Sequence, residues 1–248
     1  MTEITSETFK NLADWDYHYD VTEVGYPMRA NLVYTPLINP ERTILCMDFT
    51  RDFKFHDKPQ ENKLWTEEMM VERFNREVKF IELAEKAGIP ILKVIEIDYS
   101  ARRIFVEWND TDFYMQGRNA GSFDSVLPDW KKQWLDIMEK MWTNNMYKIS
   151  LHPNSFICIN GKLHAFNWFF TFEKSEPDTT LRNYLPQIST ERFEKLEPVL
   201  KKFNVTLDSP LPYRTMQELA LNVFVSNYPK ELMDEAINLL RFIEKNQG

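Results

Sequence analysis

The chain has 248 residues, 43% of them hydrophobic and 14% aromatic, with 38 acidic against 30 basic side chains and a net charge of −8. That apolar content excludes a disordered chain and suffices for one large domain or two lobes sharing a cleft. The acidic balance, with Lys and Arg interspersed among Asp and Glu, excludes general nucleic-acid binding, which needs basic patches to displace phosphate counterions.

The opening stretch, MTEITSETFKNLADWD, is acidic and lacks the apolar core of an export signal. No run approaches the roughly 18 apolar residues of a membrane span. The expectation is a cytoplasmic chain with no membrane partner. Three strand-like runs follow at residues 17–24, 31–37 and 43–49, punctuated by Pro27 and the turn INPER. A polar loop runs through Gln60, and residues 67–86 then read as a helix. Its apolar Met70, Val71, Phe74, Val78 and Ile81 recur at three-to-four spacing, and Gly88 and Pro90 stop it.

Two more strands are expected at 92–98 and 103–108, joined by a short turn. Residues 109–127 read as irregular, with Gly117 and Gly121 inside them. A helix is expected over 129–147, with Trp134, Met138, Met141 and Trp142 as a core-facing stripe. A short polar loop, 150–155, leads into a hairpin of strands 156–159 and 163–166 around Asn160-Gly161. Helices close the chain at 190–203, 216–226 and 229–245, with DSPLPYRT a loop between the first two. The division this implies is an N-terminal sheet lobe with one helix, 1–108, and a mainly helical lobe, 109–248. Cys46 and Cys158 both lie in apolar strand-like runs and predict buried free thiols. No metal site is expected, since His18, His56, His152 and His164 show no ligand spacing with them.

This order, with NREVKFIELAEKAGIPILKVIEID, RRIFVEW and LHPNSF…GKLHAFNWF in it, resembles the protein-kinase-like fold. It looks most like the aminoglycoside and choline phosphotransferase branch, over residues 20–245. The resemblance implies an α+β, bilobal fold: a small antiparallel-sheet lobe plus a larger mainly helical lobe. It also implies a nucleotide-binding cleft, in which carboxylates hold magnesium, a Lys–Glu pair grips phosphates and an Asp accepts the hydroxyl proton.

The branch's catalytic loop usually reads His-Gly-Asp-Leu-His-Pro-Gly-Asn, and KISLHPNS matches it in register at Leu151, His152 and Pro153. The catalytic Asp then falls on Ser150, the metal-binding Asn on Ser155, and the Asp of the next motif on Asn167. A serine hydroxyl is a poor base near neutral pH, and Mg²⁺ prefers anionic oxygen. In the sheet lobe, Cys46 or Met47 stands where the phosphate-gripping Lys should lie. The expected glycine-rich loop holds only Gly25. Glu77 matches the helix glutamate of the family, although it also reads as an exposed helix acid, and Arg29 could reach it. Val106, Glu107 and Trp108 fall on the hinge that binds adenine in active relatives, and Trp108 could fill that space. His152 and Pro153 are expected to shape the loop.

The resulting expectation is a catalytically inactive, pseudokinase-like binding or scaffolding module that acts through a protein partner and needs no cofactor. One alternative is a divergent phosphotransferase or nucleotidyl transferase that uses Ser150, Ser155 and Asn167 with ATP, magnesium and unusual metal geometry. The other is a small-molecule binder that reuses the acceptor cleft.

Overall fold

The structure is a computed structural model, and it describes residues 15–17, 37–49, 67–109, 111–181, 190–223 and 227–247. Arg29 and the glycine-poor segment around Gly25 lie outside the described residues, and of the expected strands 17–24 and 31–37 only Tyr17 and Leu37 lie within them. Two compact units result. One comprises the described residues up to Asn75 with Leu92–Thr111, the other Arg76–Ile91 with the described residues from Asp112 onward.

The first unit is built on a five-stranded sheet. Strands β1 (Asp16–Tyr17), β2 (Leu37–Ile38), β3 (Ile44–Asp48), β4 (Val94–Asp98) and β5 (Arg103–Glu107) lie in the order β1-β2-β3-β5-β4. Every pairing is antiparallel. All five residues of β3 are buried, as its unbroken apolar run ILCM requires. Asn39 enters this strand through a side-chain turn: its Oδ1 accepts from the backbone N–H groups of Thr43 and Ile44, each at 2.8 Å. Trp15, Leu37, Ile44, Cys46 and Phe105 form a core cluster, with Trp15 edge-on to Phe105 at 5.8 Å. Asp48 at the end of β3 pairs with Arg103 opposite it at 3.0 Å.

Helix α1 (Glu67–Lys86) follows β3 in the chain and precedes β4. Gly88 at φ 65 ends it, with Gly88 N–H donating to Glu85 O and Ile89 N–H to Ala84 O. Only Gly tolerates this backbone without strain.

The second unit is mainly helical. Helices α2 (Phe113–Ala120), α3 (Phe123–Val126) and α4 (Trp130–Thr143) are followed by strand β6 (Met146–Lys148), the hairpin β7 (Phe156–Ile159) and β8 (Lys162–Ala165), and strand β9 (Thr171–Glu173). Helices α5 (Thr190–Phe203), α6 (Tyr213–Val223) and α7 (Lys230–Gln247) complete it. Fold and element order are thus α+β: an antiparallel sheet with a helix between its third and fourth strands, then helices around one hairpin. That is the order expected of a protein-kinase-like chain. Among the described residues no helix is long and apolar enough to cross a membrane. Cys46 and Cys158 are free and buried.

Three expectations need correction. Residues 109–127 are not irregular but carry α2 and α3. Asp112 caps α2 by accepting from Met115 N–H at 2.9 Å, Gly121 at φ 83 closes it, and Ser122 caps α3. Gly117 is a packing residue, since a Cβ there would meet the Phe123 ring at 2.4 Å. The helix expected over 129–147 stops at Thr143: Asn145 turns left-handed at φ 57, and Met146–Lys148 becomes β6, paired with β9. Helix α6 begins at Tyr213, inside the DSPLPYRT stretch read as loop.

The hairpin that carries the loop region is fastened on both outer edges. Asn160 and Gly161 sit at φ 51 and 72, the doubly left-handed turn that two-residue hairpins favour. With that turn, Ile157 and Ile159 exchange ladder bonds with β8, while Cys158, Leu163 and Ala165 present backbone groups outward. Both groups of Cys158 and the N–H groups of Leu163 and Ala165 find partners. Gln116 of α2 accepts from Cys158 N–H and donates to Cys158 C=O, both at 3.0 Å. Gln133 of α4 accepts from Leu163 N–H at 2.8 Å and donates to Gly161 C=O at 3.2 Å. Ala165 N–H donates to Pro90 C=O at 2.9 Å.

Candidate functional site

The candidate site spans the end of β6, the loop 149–155 and the turn 166–168. Pro153 opens a 3₁₀ turn, Pro153–Ser155, where its fixed φ and missing N–H cost nothing. His152 before it is held extended, at ψ 145, as a residue preceding proline must be. Its Nδ1 accepts from Asn154 N–H at 3.1 Å, capping the turn. Ser155 N–H donates to His152 C=O at 2.8 Å and Phe166 N–H to Ser155 C=O at 3.0 Å, which locks the loop to the hairpin.

Ser150 and Ser155 are brought together: their hydroxyl oxygens lie 2.8 Å apart, one donating to the other. Ser155 is buried. Asn167 sits at φ 60 and ψ 62, a left-handed conformation that Asn tolerates better than most residues, and it begins the 3₁₀ turn Trp168–Phe170.

His152 has both ring nitrogens engaged. Since Nδ1 accepts a hydrogen bond, the proton of the neutral ring belongs on Nε2, which lies 2.7 Å from the Asn227 amide. That amide therefore presents its oxygen to the ring, because two donors cannot share the contact. Burial holds the imidazole below its ordinary range. This is a structural histidine, as expected of it, with no lone pair open to take a proton from Ser150.

The residue that sequence reasoning missed is Lys148. It is wholly buried at the end of β6, and Nζ donates to Phe166 C=O at 2.9 Å and to Asn167 C=O. The ammonium also lies 5.1 Å from the centre of the Trp168 ring. Burial lowers its pKa, and the carboxylate of Glu77 opposes that shift. In the register of the catalytic-loop motif, Lys148 stands at the first position, two before Ser150. A lysine between apolar Tyr147 and Ile149 was the available signal.

Glu77 is not an exposed helix acid; it is 0% exposed. Its neighbour Arg76 shows how α1 is seated. Arg76 Nη1 donates to Thr171 C=O at 3.1 Å and bonds both carboxylate oxygens of Glu176 at 2.9 Å. Thr171 is the partner of Lys148 in the β6–β9 ladder, so the Arg76–Glu77 turn of α1 faces the end of β6.

Glu107 and Trp108 belong to the sheet unit. Glu107 pairs with Lys93 at 2.5 Å and its N–H donates to Lys93 C=O at 2.9 Å. Trp108 is 6% exposed and its N–H donates to Thr43 C=O at 2.9 Å. Among the described residues no group of three or more His, Cys, Asp or Glu side chains is placed to hold a metal ion.

No family model and no curated protein matches the chain. Among solved structures it is similar to the bifunctional kinase-methyltransferase WbdD, at TM-score 0.43 and 9% identity, over 90% of this chain and 49% of that one. A complex of WbdD with the kinase inhibitor LY294002 gives TM-score 0.42 and 11% identity over 87% and 48%. The Rio2 kinase from Chaetomium thermophilum gives 0.39 and 9% over 86% and 69%. The chain thus spans about half the length of the WbdD chains. Likeness at this level assigns nothing further to the chain.

Proposed function

We propose that this chain is a kinase-like protein that transfers no phosphoryl group and works as a binding or scaffolding module for a protein partner, without nucleotide or metal. One observation carries the reading: Ser150 and Ser155, at the places of the base and of a metal ligand, bond each other at 2.8 Å. Neither hydroxyl has another side-chain partner among the described residues. General-base catalysis needs a group whose pKa lies near the working pH, held within reach of the substrate hydroxyl. A serine hydroxyl titrates far above that range, and His152 has no free nitrogen to activate it. Phosphoryl transfer also rests on charge neutralisation by metal ions and lysine. Lys148 instead points its ammonium at two backbone carbonyls, and Asn167 contributes no charge.

The test pairs a thermal-shift scan with a phosphoryl-transfer assay. ATP with Mg²⁺ leaves the melting midpoint unmoved, although saturation at a hundred times the dissociation constant would stabilise by about 2.7 kcal/mol. Phosphoryl transfer to hydroxyl acceptors stays at background. Restoring the motif with Ser150→Asp, Ser155→Asn and Asn167→Asp raises nucleotide affinity without full activity. Turnover by the unmodified protein that Asn167→Ala abolishes would overturn the proposal and identify a divergent transferase.

A further inference from the structure

We propose that Lys148 is a resident cation of the loop region, paired with Glu77 and gathering the carbonyls of Phe166 and Asn167 around its ammonium. It would occupy the place of a bound ion and fix Asn167 in its left-handed turn. This goes beyond the non-catalytic reading and does not depend on it.

The geometry supports an ammonium rather than a neutral amine. The groups around Nζ are the Phe166 and Asn167 carbonyls and the Trp168 ring face, and each of them accepts, while the buried carboxylate of Glu77 acts on the ammonium through its charge. An ammonium offers three donors and no lone pair, whereas a neutral amine has two donors and would set its lone pair against one of these groups. Lys148 and Glu77 are both 0% exposed, so neither charge is relieved by water. A buried charge persists only when it is paired and hydrogen-bonded. The seating of α1 provides the meeting: Arg76 holds Thr171 C=O, and Thr171 lies opposite Lys148 in the ladder. Carbonyls from consecutive residues converging on one cation also explain the turn. Holding both oxygens toward Nζ bends the chain at Asn167, at φ 60 and ψ 62.

Two measurements test this, both without nucleotide, so that they succeed or fail separately from the proposed function. The first is a double-mutant cycle of Lys148→Met, Glu77→Met and the pair together. Breaking a buried pair by removing one partner is costly while removing both is often near neutral, so each single variant loses about 6–20 °C of melting midpoint and the double variant recovers most of it. Single losses that simply add in the double variant would overturn the pairing. Single variants that fail to fold still support it when the double variant folds, and a double variant that also fails overturns it.

The second measurement asks whether the place accepts a cation from solution. Lys148→Ala removes three methylenes and the ammonium, the outline of propylammonium. Propylammonium chloride should raise the midpoint of that variant saturably, while sodium chloride and 1-propanol at the same concentration should not, and wild type should not respond. Equal rescue by 1-propanol would show that only shape matters, and no rescue by any of the three would show that no cation is held there. Either result overturns the resident-cation assignment.

Discussion

Gln116→Leu asks how much the outer edge of the hairpin depends on one side chain. Leucine is of similar size and equally suited to a helix, so α2 itself is little disturbed. What changes is Cys158, whose N–H and C=O each lose a 3.0 Å partner at a residue only 8% exposed. An orphaned buried polar group costs about 1–3 kcal/mol, so two cost about 2–6 kcal/mol, and the added apolar contact of leucine returns about 1 kcal/mol. For a chain of this length each kcal/mol moves the melting midpoint by about 2–4 °C, so the net loss of about 1–5 kcal/mol gives an expected fall of about 2–20 °C. Thermal and urea unfolding measure it, and amide exchange at Cys158 locates it, since that N–H should lose its protection first. Gln116→Glu should not rescue: one carboxylate oxygen still accepts from Cys158 N–H, but the other faces Cys158 C=O. A midpoint within about 2 °C of wild type, with the Cys158 amide exchanging as slowly as before, would refute the reasoning.

Gln217 on α6 is 0% exposed and neither atom of its amide has a partner among the described residues, so Gln217→Met should stabilise by about 1–3 kcal/mol; a lower urea midpoint would show the amide to be satisfied after all. At Gly117 an added methyl would lie 2.4 Å from a Phe123 ring stacked on Phe113 at 4.8 Å. Overpacking of about 1–3 kcal/mol then outweighs the ~1 kcal/mol of helix propensity, so Gly117→Ala should melt lower, and an unchanged midpoint would mean that the ring moves freely. Burial lowers the pKa of both His152 and His164, so the unfolded chain takes up protons first as pH falls. Stability should hold above about pH 6.5 and decline below it, down to the folded-state values. His152→Gln, which keeps a hydrogen-bonding side chain but cannot titrate, should remove part of that decline; an unaltered pH profile would refute the assignment to His152.

How much of this was legible in the sequence depended on which physical signal dominated each segment. Strand β3 and the Asn160-Gly161 hairpin were readable because a continuous apolar run and a doubly left-handed turn leave few alternatives. Residues 109–127 were misread because Gly117 and Gly121 look like breakers. Gly121 does end a helix, but Gly117 is there for Phe123 to approach, a tertiary cause invisible to local propensity. Strand β6 was hidden for a related reason. The apolar spacing of Met141, Trp142, Met146 and Tyr147 suits a helix, and only the left-handed Asn145 shows where it stops. The burial of Glu77 was within reach, since it shares the helix stripe of Phe74, Val78 and Ile81. For Lys148 the one signal was its place between apolar Tyr147 and Ile149, and nothing in a lysine announces the two carbonyls that receive its ammonium.

The site residues share one property that bears on function. Ser150 answers Ser155, both nitrogens of His152 are taken, and Lys148 faces the Phe166 and Asn167 carbonyls and the charge of Glu77. A site that stabilises a transition state keeps donors and charges directed at where the substrate's charge will develop, and those groups stay poorly satisfied by the protein alone until it arrives. Here Ser150, Ser155, His152 and Lys148 are engaged by groups of the protein itself, and Lys148 and Glu77 lie in full burial. Binding a phosphate or a metal would first require breaking the bonds that hold the loop to β6 and to the turn at Asn167. That cost falls on a ligand at this site and not on a partner that docks elsewhere on the surface, which is the physical basis of the proposal that the chain binds rather than transfers.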